Sequence, residues 1–184
     1  MAKEKWKGKE WYQILAPKMF GEAVIGETLS IEPSQLKGRI VEVSLIELIG
    51  DPNKYYIKLF FKVSEIDSNK AYTIFFGHDC TRDFLARIVQ PRTTRIDTNE
   101  IVKFEDGKIR IKSVAISNRQ VNNEVERKVR KMLNELIAKE AEKMKIEAFV
   151  KSLIRGDIQQ KIRKSMSKLY PLRWFEFRKT EIIA

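Results

Sequence analysis

The sequence of 184 residues contains one cysteine, Cys80, and one histidine, His78. A single cysteine excludes an internal disulfide and a cysteine-based zinc site, and a single histidine excludes any mechanism that needs two imidazoles. No apolar run approaches the roughly 20 residues that cross a bilayer, and the first residues lack the apolar stretch of a signal peptide. We therefore expect a cytoplasmic protein with no bound metal, no cofactor and no membrane partner.

Motifs for catalysis are also missing. The sequence has no glycine-rich phosphate loop and no nucleophile elbow. His78 and Cys80 stand two apart without a third group to orient them, so we interpret them as a turn leading into a helix, with Cys80 half-buried. Asp79 and Asp83 have the spacing of a magnesium site, although acids beside a helix start serve the helix dipole. The sequence thus predicts no catalytic residue and no enzyme; a magnesium-dependent RNA-processing enzyme using these two aspartates is the alternative.

What the sequence does contain is positive charge. Lys and Arg number 36 against 25 Asp and Glu, a net charge of +11. The excess is uneven: residues 21–81 carry a net −3, whereas residues 149–184 carry a net +6. Several runs of one sign in a small chain indicate a polyanion partner, either nucleic acid or an anionic membrane surface. The apolar stripes of the helices are better explained by core packing than by membrane binding, so nucleic acid is favoured.

The candidate RNA contacts lie in four basic segments. They are an N-terminal lysine run around a tryptophan, a helix and the loop after it, the start of a long helix, and a late helix. Lysine and arginine contact phosphates, and an indole stacks on unpaired bases. The predicted residues are Lys5, Trp6, Lys7, Lys9, Arg82, Arg87, Arg92, Arg95, Arg119, Arg127, Arg130, Lys131, Arg163 and Lys164. For Trp11, together with Tyr12, Ile14 and Leu15, we expect instead an apolar anchor for the N-terminal segment.

Hydrophobic periodicity divides the chain into a strand-rich part and a helical part. Alternation and β-branched residues predict strands over 22–30, 38–49, 55–63, 71–76, 98–104, 108–116 and 172–177. One inserted helix follows Thr81, with Asp83 in its first turn, and ends before Pro91. From Asn122 the spacing becomes helical, in pieces near 122–144, 146–154 and 158–169.

These elements predict an α+β fold: a β-barrel of about six to seven strands with one inserted helix and a C-terminal helical subdomain. The expected division is a basic N-terminal arm at 1–20, the barrel core at 21–118, and a helical subdomain at 119–184 whose final strand returns to the barrel.

Short stretches along nearly the whole chain carry a family resemblance. They read WY at 11–12, AP at 16–17, IGETL at 25–29, LKGR at 36–39, EVSL at 42–45, TRD at 81–83 and YPL at 170–172. Together they resemble the archaeal and eukaryotic small-subunit ribosomal protein family called S-three-Ae, or e-S-one, in its compact archaeal form.

The resemblance implies a structural, non-catalytic protein of the ribosome with a β-barrel and attached helices. It implies a place on the platform of the small subunit near the messenger RNA exit. The partners it implies are small-subunit ribosomal RNA, neighbouring platform proteins and messenger RNA near the exit path. An alternative reading of the residues is a free-standing single-stranded RNA-binding module or translation regulator, which exposed aromatic side chains on one barrel face would favour.

Overall fold

A computed structural model describes residues 8–183 of the protein. Its strands are β1 Glu10–Leu15, β2 Val24–Ser30, β3 Ile40–Ser44, β4 Ile57–Asp67, β5 Lys70–Cys80, β6 Arg95–Lys103, β7 Lys108–Ser117 and β8 Leu172–Ile183. Its helices are α1 Leu45–Ile49, α2 Arg82–Ile88, α3 Asn123–Ala141, α4 Ile146–Arg155 and α5 Asp157–Ser167. The predicted α+β class is confirmed. The chain divides into two compact units, with the boundary between Gly77 and His78.

The first unit is built from β1 to β4 and the beginning of β5. β1 pairs antiparallel with β2 and parallel with the first residues of β5, and β4 lies between β3 and β5. Alternate residues of these strands point inward, as a half-buried sheet requires. Tyr12, Ile14, Val63 and Ala71 of these strands form a buried cluster with Leu36, which lies in the turn between β2 and β3.

The sheet of the first unit curls so that its two outer strands approach each other. Arg39, just before β3, donates from its guanidinium to Thr28 Oγ1 at 2.8 Å and to the Leu29 carbonyl at 3.3 Å, both on β2. Among residues 8–183, no backbone ladder joins β2 to β3. The curled sheet is barrel-like, and its full closure stays a prediction.

The second unit is an antiparallel sheet covered by helices. β7 pairs with β6 through the predicted Asp106-Gly107 hairpin, and β8, which follows the helices in sequence, pairs with the other side of β7. α3 packs on β6, α5 packs on β8, and α5 also contacts α3 and α4. Phe149 from α4 lies edge-on against Phe104 and Phe177, with ring centroids 5.0 and 5.6 Å apart. The apolar stripes of the helices are therefore used for core packing.

Three local predictions were wrong. The strand expected over 38–49 ends at Ser44 and continues as α1, which Gly50 closes in a left-handed conformation by donating to the Ile46 carbonyl at 2.7 Å. Residues 10–15 form β1, although we expected only an arm there. Trp11 was expected to anchor this segment, but its side chain is 59% exposed, because strand alternation turns Tyr12 and Ile14 inward instead. The predicted division at residues 20 and 118 stays a prediction.

Candidate nucleic-acid interface

Three basic turns meet at one end of the sheet in the second unit. In the register of the sheet, Arg95 at the start of β6 faces Ile116, and Ser117 at the end of β7 faces Leu172 at the start of β8. The turn before β6, the turn after β7 and the turn before β8 therefore lie at the same edge. Antiparallel pairing brings together segments that are up to about 80 residues apart in sequence.

A buried polar clamp holds two of these turns together. The Thr94 N–H donates to Ser117 Oγ at 2.8 Å, and the Ser117 N–H donates to the Thr94 carbonyl at 3.0 Å. Thr94 Oγ1 accepts from the Val121 N–H at 3.1 Å, and the Ser117 hydroxyl donates to the Arg119 carbonyl. Ser117 is fully buried, so the bonds that it makes are shielded from water on its side. The clamp fixes the backbone on both sides of the space between the turns.

That space is a cleft of about 580 Å³, here called the arginine cleft. Its lining is Pro91, Arg92, Thr93, Asn118, Arg119, Gln120 and Arg173. Within the described part of the chain, the lining contains three guanidinium groups and no carboxylate. Guanidinium forks match phosphate oxygens in a bidentate geometry, so the cleft is suited to an anion.

A second basic cavity adjoins the start of β8. It has a volume of about 310 Å³ and is lined by Gln160, Arg163, Lys164, Ser167, Pro171 and Leu172. Arg163 donates from Nε to the Leu172 carbonyl at 3.2 Å, which ties α5 to the residue next to Arg173. The two cavities thus flank consecutive residues of β8, and both present cations.

Two of the predicted RNA contacts, Arg95 and Arg130, already use part of their guanidinium groups to bind Asp97. Arg95 contacts Asp97 Oδ1 at 3.1 Å from both Nε and Nη2. Arg130 donates from Nε to the Asp97 carbonyl at 3.0 Å and pairs with Glu126 Oε1 at 2.5 Å. The contact between Arg130 and the Asp97 carbonyl attaches α3 to β6. On the same helix Arg127 and Lys131 are exposed.

The remaining predicted residues lie elsewhere. Arg82 and Arg87 are exposed at the two ends of α2, and Lys9 directly precedes β1 in the first unit. Lys5, Trp6 and Lys7 lie outside the described residues. The structure therefore gathers Arg92 and Arg119 in one cleft, with Arg163 and Lys164 in the adjoining cavity. It adds Arg173, which the predicted set omits; its only sequence signal is a place in the acid-poor last segment.

His78 and Cys80 belong to the core, at the end of β5, where we expected a turn. His78 Nδ1 lies 2.6 Å from Thr180 Oγ1, Nε2 lies 3.0 Å from the Phe177 carbonyl, and the Cys80 thiol donates to that carbonyl at 3.2 Å. Burial lowers the pKa of His78 to about 4 and raises the pKa of the Cys80 thiol. A neutral imidazole and an undissociated thiol are structural groups here.

The two aspartates Asp79 and Asp83 lie on either side of Thr81, at the end of β5 and the start of α2. Burial raises the pKa of Asp79, while the charge of Lys179 lowers it. Thr81 is the N-cap of α2 and Asp83 lies in its first turn, as predicted, although the Thr81 side chain makes no capping hydrogen bond. In residues 8–183, no group of three or more His, Cys, Asp or Glu side chains is placed to hold a metal ion.

The aromatic residues of the first unit are divided between core and surface. Tyr56, Phe61 and Phe75 are buried, which removes them from any stacking surface. Tyr55 is exposed, and Phe60, Tyr72 and Phe76 are half-buried. Lys62 Nζ lies 5.8 Å from the Phe76 ring centroid, a cation–π contact. The aromatic side chains therefore offer only a partial platform for bases.

The fold and the arginine cleft indicate the class of protein: an α+β protein with a basic surface suited to polyanions. The family follows from comparison with known proteins. The model of the Ribosomal S3Ae family matches residues 1–184, and the chain belongs to that family. It is 32% identical over 182 residues to the small ribosomal subunit protein eS1 of Saccharolobus islandicus strains L.S.2.15, M.14.25 and M.16.27. The match covers 98% of this chain and 88% of each relative.

Membership confirms the resemblance and several expectations derived from it. The protein is a structural component of the small ribosomal subunit, not an enzyme, and is located with the ribosome in the cytoplasm. Its partners are ribosomal RNA and ribosomal proteins. No helix in the described range is both long and apolar enough to span a bilayer.

Proposed function

We propose that the protein binds small-subunit ribosomal RNA on the platform, near the messenger RNA exit, and shapes the path of the leaving messenger beside neighbouring platform proteins. The RNA-binding surface is centred on the arginine cleft and the adjoining α5 cavity. The proposed contacts are the sequence-predicted residues Lys5, Trp6, Lys7, Lys9, Arg82, Arg87, Arg92, Arg95, Arg119, Arg127, Arg130, Lys131, Arg163 and Lys164, with Arg173 added.

The observation that supports this proposal is the uncompensated charge of the arginine cleft. Arg92, Arg119 and Arg173 line one space without a carboxylate among its lining residues. Guanidinium groups held together repel one another, and an anion between them relieves that repulsion. A ribosomal protein with such a cleft has the phosphates of ribosomal RNA as its abundant anion.

The first test is the salt dependence of binding to small-subunit ribosomal RNA. Replacing Arg92, Arg119 and Arg173 together with Gln should weaken binding by about 100-fold or more, because charge-assisted hydrogen bonds contribute about 1.5–3 kcal/mol each. The slope of log affinity against log salt should become shallower by roughly 2 to 3, since each phosphate that a cation neutralises adds about 0.7–0.9 to its magnitude.

The matched control removes the same charge from the first unit through Lys37, Lys54 and Lys70, each replaced with Gln. It should leave the slope nearly unchanged. Equal reductions of affinity in both triple variants would remove the cleft from the interface.

The second test addresses position on the subunit. Gln90→Cys in a Cys80→Ala background carries a tethered iron chelate on the exposed residue next to Pro91 of the cleft, and the subunit is reconstituted with it. Cleavage of ribosomal RNA at the platform near the messenger exit is expected. Cleavage confined to other regions contradicts the platform location while leaving RNA binding itself intact.

A further inference from the structure

The lining of the arginine cleft combines two kinds of donor. Arg92, Arg119 and Arg173 supply charge, whereas Asn118 and Gln120 supply side-chain amides on either side of Arg119. An amide presents both donors and an acceptor, which is the pattern that the edge of a nucleobase presents in return. An ionised phosphodiester has no hydrogen-bond donor, so it cannot pair with the amide oxygen.

The size and shape of the cleft agree with a ligand larger than phosphate. Its volume of about 580 Å³ falls within the range of about 300–1,000 Å³ typical of small-molecule sites. The bases of an RNA duplex have their pairing edges occupied, so a duplex offers a concave cleft phosphates and ribose hydroxyls but no free pairing edge. An unpaired nucleotide offers a phosphate, a ribose hydroxyl and a free base edge together.

The turn that carries Arg92 has an unusual backbone conformation, which also supports a role in binding a ligand in the cleft. Pro91 occupies the second position of a turn in which the Thr93 N–H reaches the Gln90 carbonyl at 3.3 Å, and Arg92 has a φ of +64°. A turn of this kind favours glycine at the position of Arg92, because a side chain there is strained. This turn, next to the Thr94–Ser117 clamp, fixes the backbone from which the Arg92 side chain reaches the cleft.

We propose that the arginine cleft takes a single unpaired nucleotide extruded from ribosomal RNA. The arginines contact its phosphate and the flanking phosphate, and the amides of Asn118 and Gln120 contact the edge of its base. This inference rests on the proposed function, since it names what the RNA-binding surface receives.

The test compares three hairpins in binding to the full chain: one with a single-nucleotide bulge, made with each of the four bases; one with an abasic bulge; and one fully paired. The base-bearing bulge should bind about 10-fold more tightly than the abasic bulge for at least one base. Asn118→Ala with Gln120→Ala should erase that difference and leave the salt slope unchanged. The control variant, Gln35→Ala with Asn69→Ala in the first unit, should keep the difference, and thermal melts should show that all variants are folded.

The outcomes separate the two proposals. Equal binding of base-bearing and abasic bulges by the unaltered chain overturns the nucleotide inference, and so does a difference that survives in the amide variant. If base-bearing and abasic bulges bind equally while the triple arginine variant has lower affinity and a shallower slope, the surface binds phosphates only and the proposed function stands. If the triple arginine variant changes neither, the proposed function fails as well.

Discussion

The two units of the chain differ in charge far more than in architecture. Residues 1–77 contain 11 Lys and Arg against 10 Asp and Glu, a net +1, whereas residues 78–184 contain 25 against 15, a net +10. Twelve of the 13 arginines lie in the second unit, and Arg39 is the only one in the first. The first unit has a buried core within its curled sheet, and the second has a buried core between its sheet and the helices that cover it. Positive charge is therefore not a requirement of the fold but a property of one unit's surface.

Exposed hydrophobic side chains are more numerous in the first unit, which has the smaller positive charge. Of the 12 large hydrophobic side chains exposed in residues 8–183, eight lie in the first unit, among them Trp11, Ile40 and Ile74. The single arginine of the first unit links β2 to β3, whereas Arg92, Arg119 and Arg173 face a cleft. The first unit's arginine thus links two strands, whereas three arginines of the second unit line the cleft that we propose as an anion site.

The largest expected effect concerns the two cores. Phe61→Ala in the first unit and Phe149→Ala in the second should each lower the free energy of unfolding by about 3–5 kcal/mol, because each leaves a cavity in place of a fully buried ring. Urea denaturation of both variants measures these reductions. If one substitution costs less than about 1 kcal/mol, the cores are not equivalent and the units differ in packing as well as in surface.

The next effect distinguishes the units by acid sensitivity. His78, the only histidine, is buried in the second unit, and burial lowers its pKa to about 4 from 6.5. The unfolded chain takes up its proton near pH 6.5, so between pH 6.5 and 4 the unfolded state binds more protons and stability falls as pH falls. The expected decrease in stability approaches about 3 kcal/mol at pH 4.

Denaturation of the protein and of His78→Gln from pH 7 to pH 4 isolates this contribution. The variant is expected to be less stable at pH 7, with a smaller further decrease on acidification. Parallel pH profiles for the two proteins would exclude His78 as the source of the acid sensitivity.

A smaller effect comes from the clamp behind the arginine cleft. Ser117→Ala removes the acceptor of the Thr94 N–H and the donor to the Arg119 carbonyl, and should lower stability by about 1–3 kcal/mol. RNA affinity should fall several-fold, because the separation of the turns is no longer fixed. Fluorescence titration with ribosomal RNA, at a temperature where both proteins are folded, checks this. Unchanged affinity would mean that the arginines act without the clamp.

The smallest expected effects compare one arginine from each unit in two measurements, stability and RNA affinity. Arg39→Gln removes the exposed link between β2 and β3 and should lower stability by about 0.5–1 kcal/mol without changing RNA affinity. Arg119→Gln should do the reverse, with RNA binding weakened and stability nearly unchanged. Melting curves and binding curves on both variants test this, and weaker RNA binding by Arg39→Gln would break the contrast between the units.

Much of the fold could be predicted because its signals are local. Alternation located β2 and β4 to β7 to within four residues and the start of β8, which runs six residues beyond its predicted end. Asp106-Gly107 marked a hairpin, and helical spacing located α3 to α5. The failures have physical causes. β1 has only six residues, and its buried side chains are Tyr12, Ile14 and Leu15, so it gives little regular alternation. α1 continues an alternating pattern, and only Gly50 with the burial of Leu45 makes it a helix.

The candidate site was predictable only in part. Composition located Arg92 and Arg119 in basic turns, but it did not distinguish them from Arg95 and Arg130. Arg95 contacts Asp97 on its own strand, and Arg130 reaches the Asp97 carbonyl because α3 packs on β6. Arg173 carried no signal of its own. It enters the cleft because β8 pairs with β7 in a register that brings its first residues to the end of β7 at Ser117.

The sequence by itself determined the class of the protein, its elements and its positive charge, because periodicity, turn chemistry and net charge are properties of neighbouring residues. It also carried the family resemblance, which depends on residue order alone. Only the tertiary structure decided which cations share a cleft, which are already paired, and that His78 and Cys80 are core residues. Those properties depend on distances between residues far apart in the chain, and strand register and helix packing set these distances.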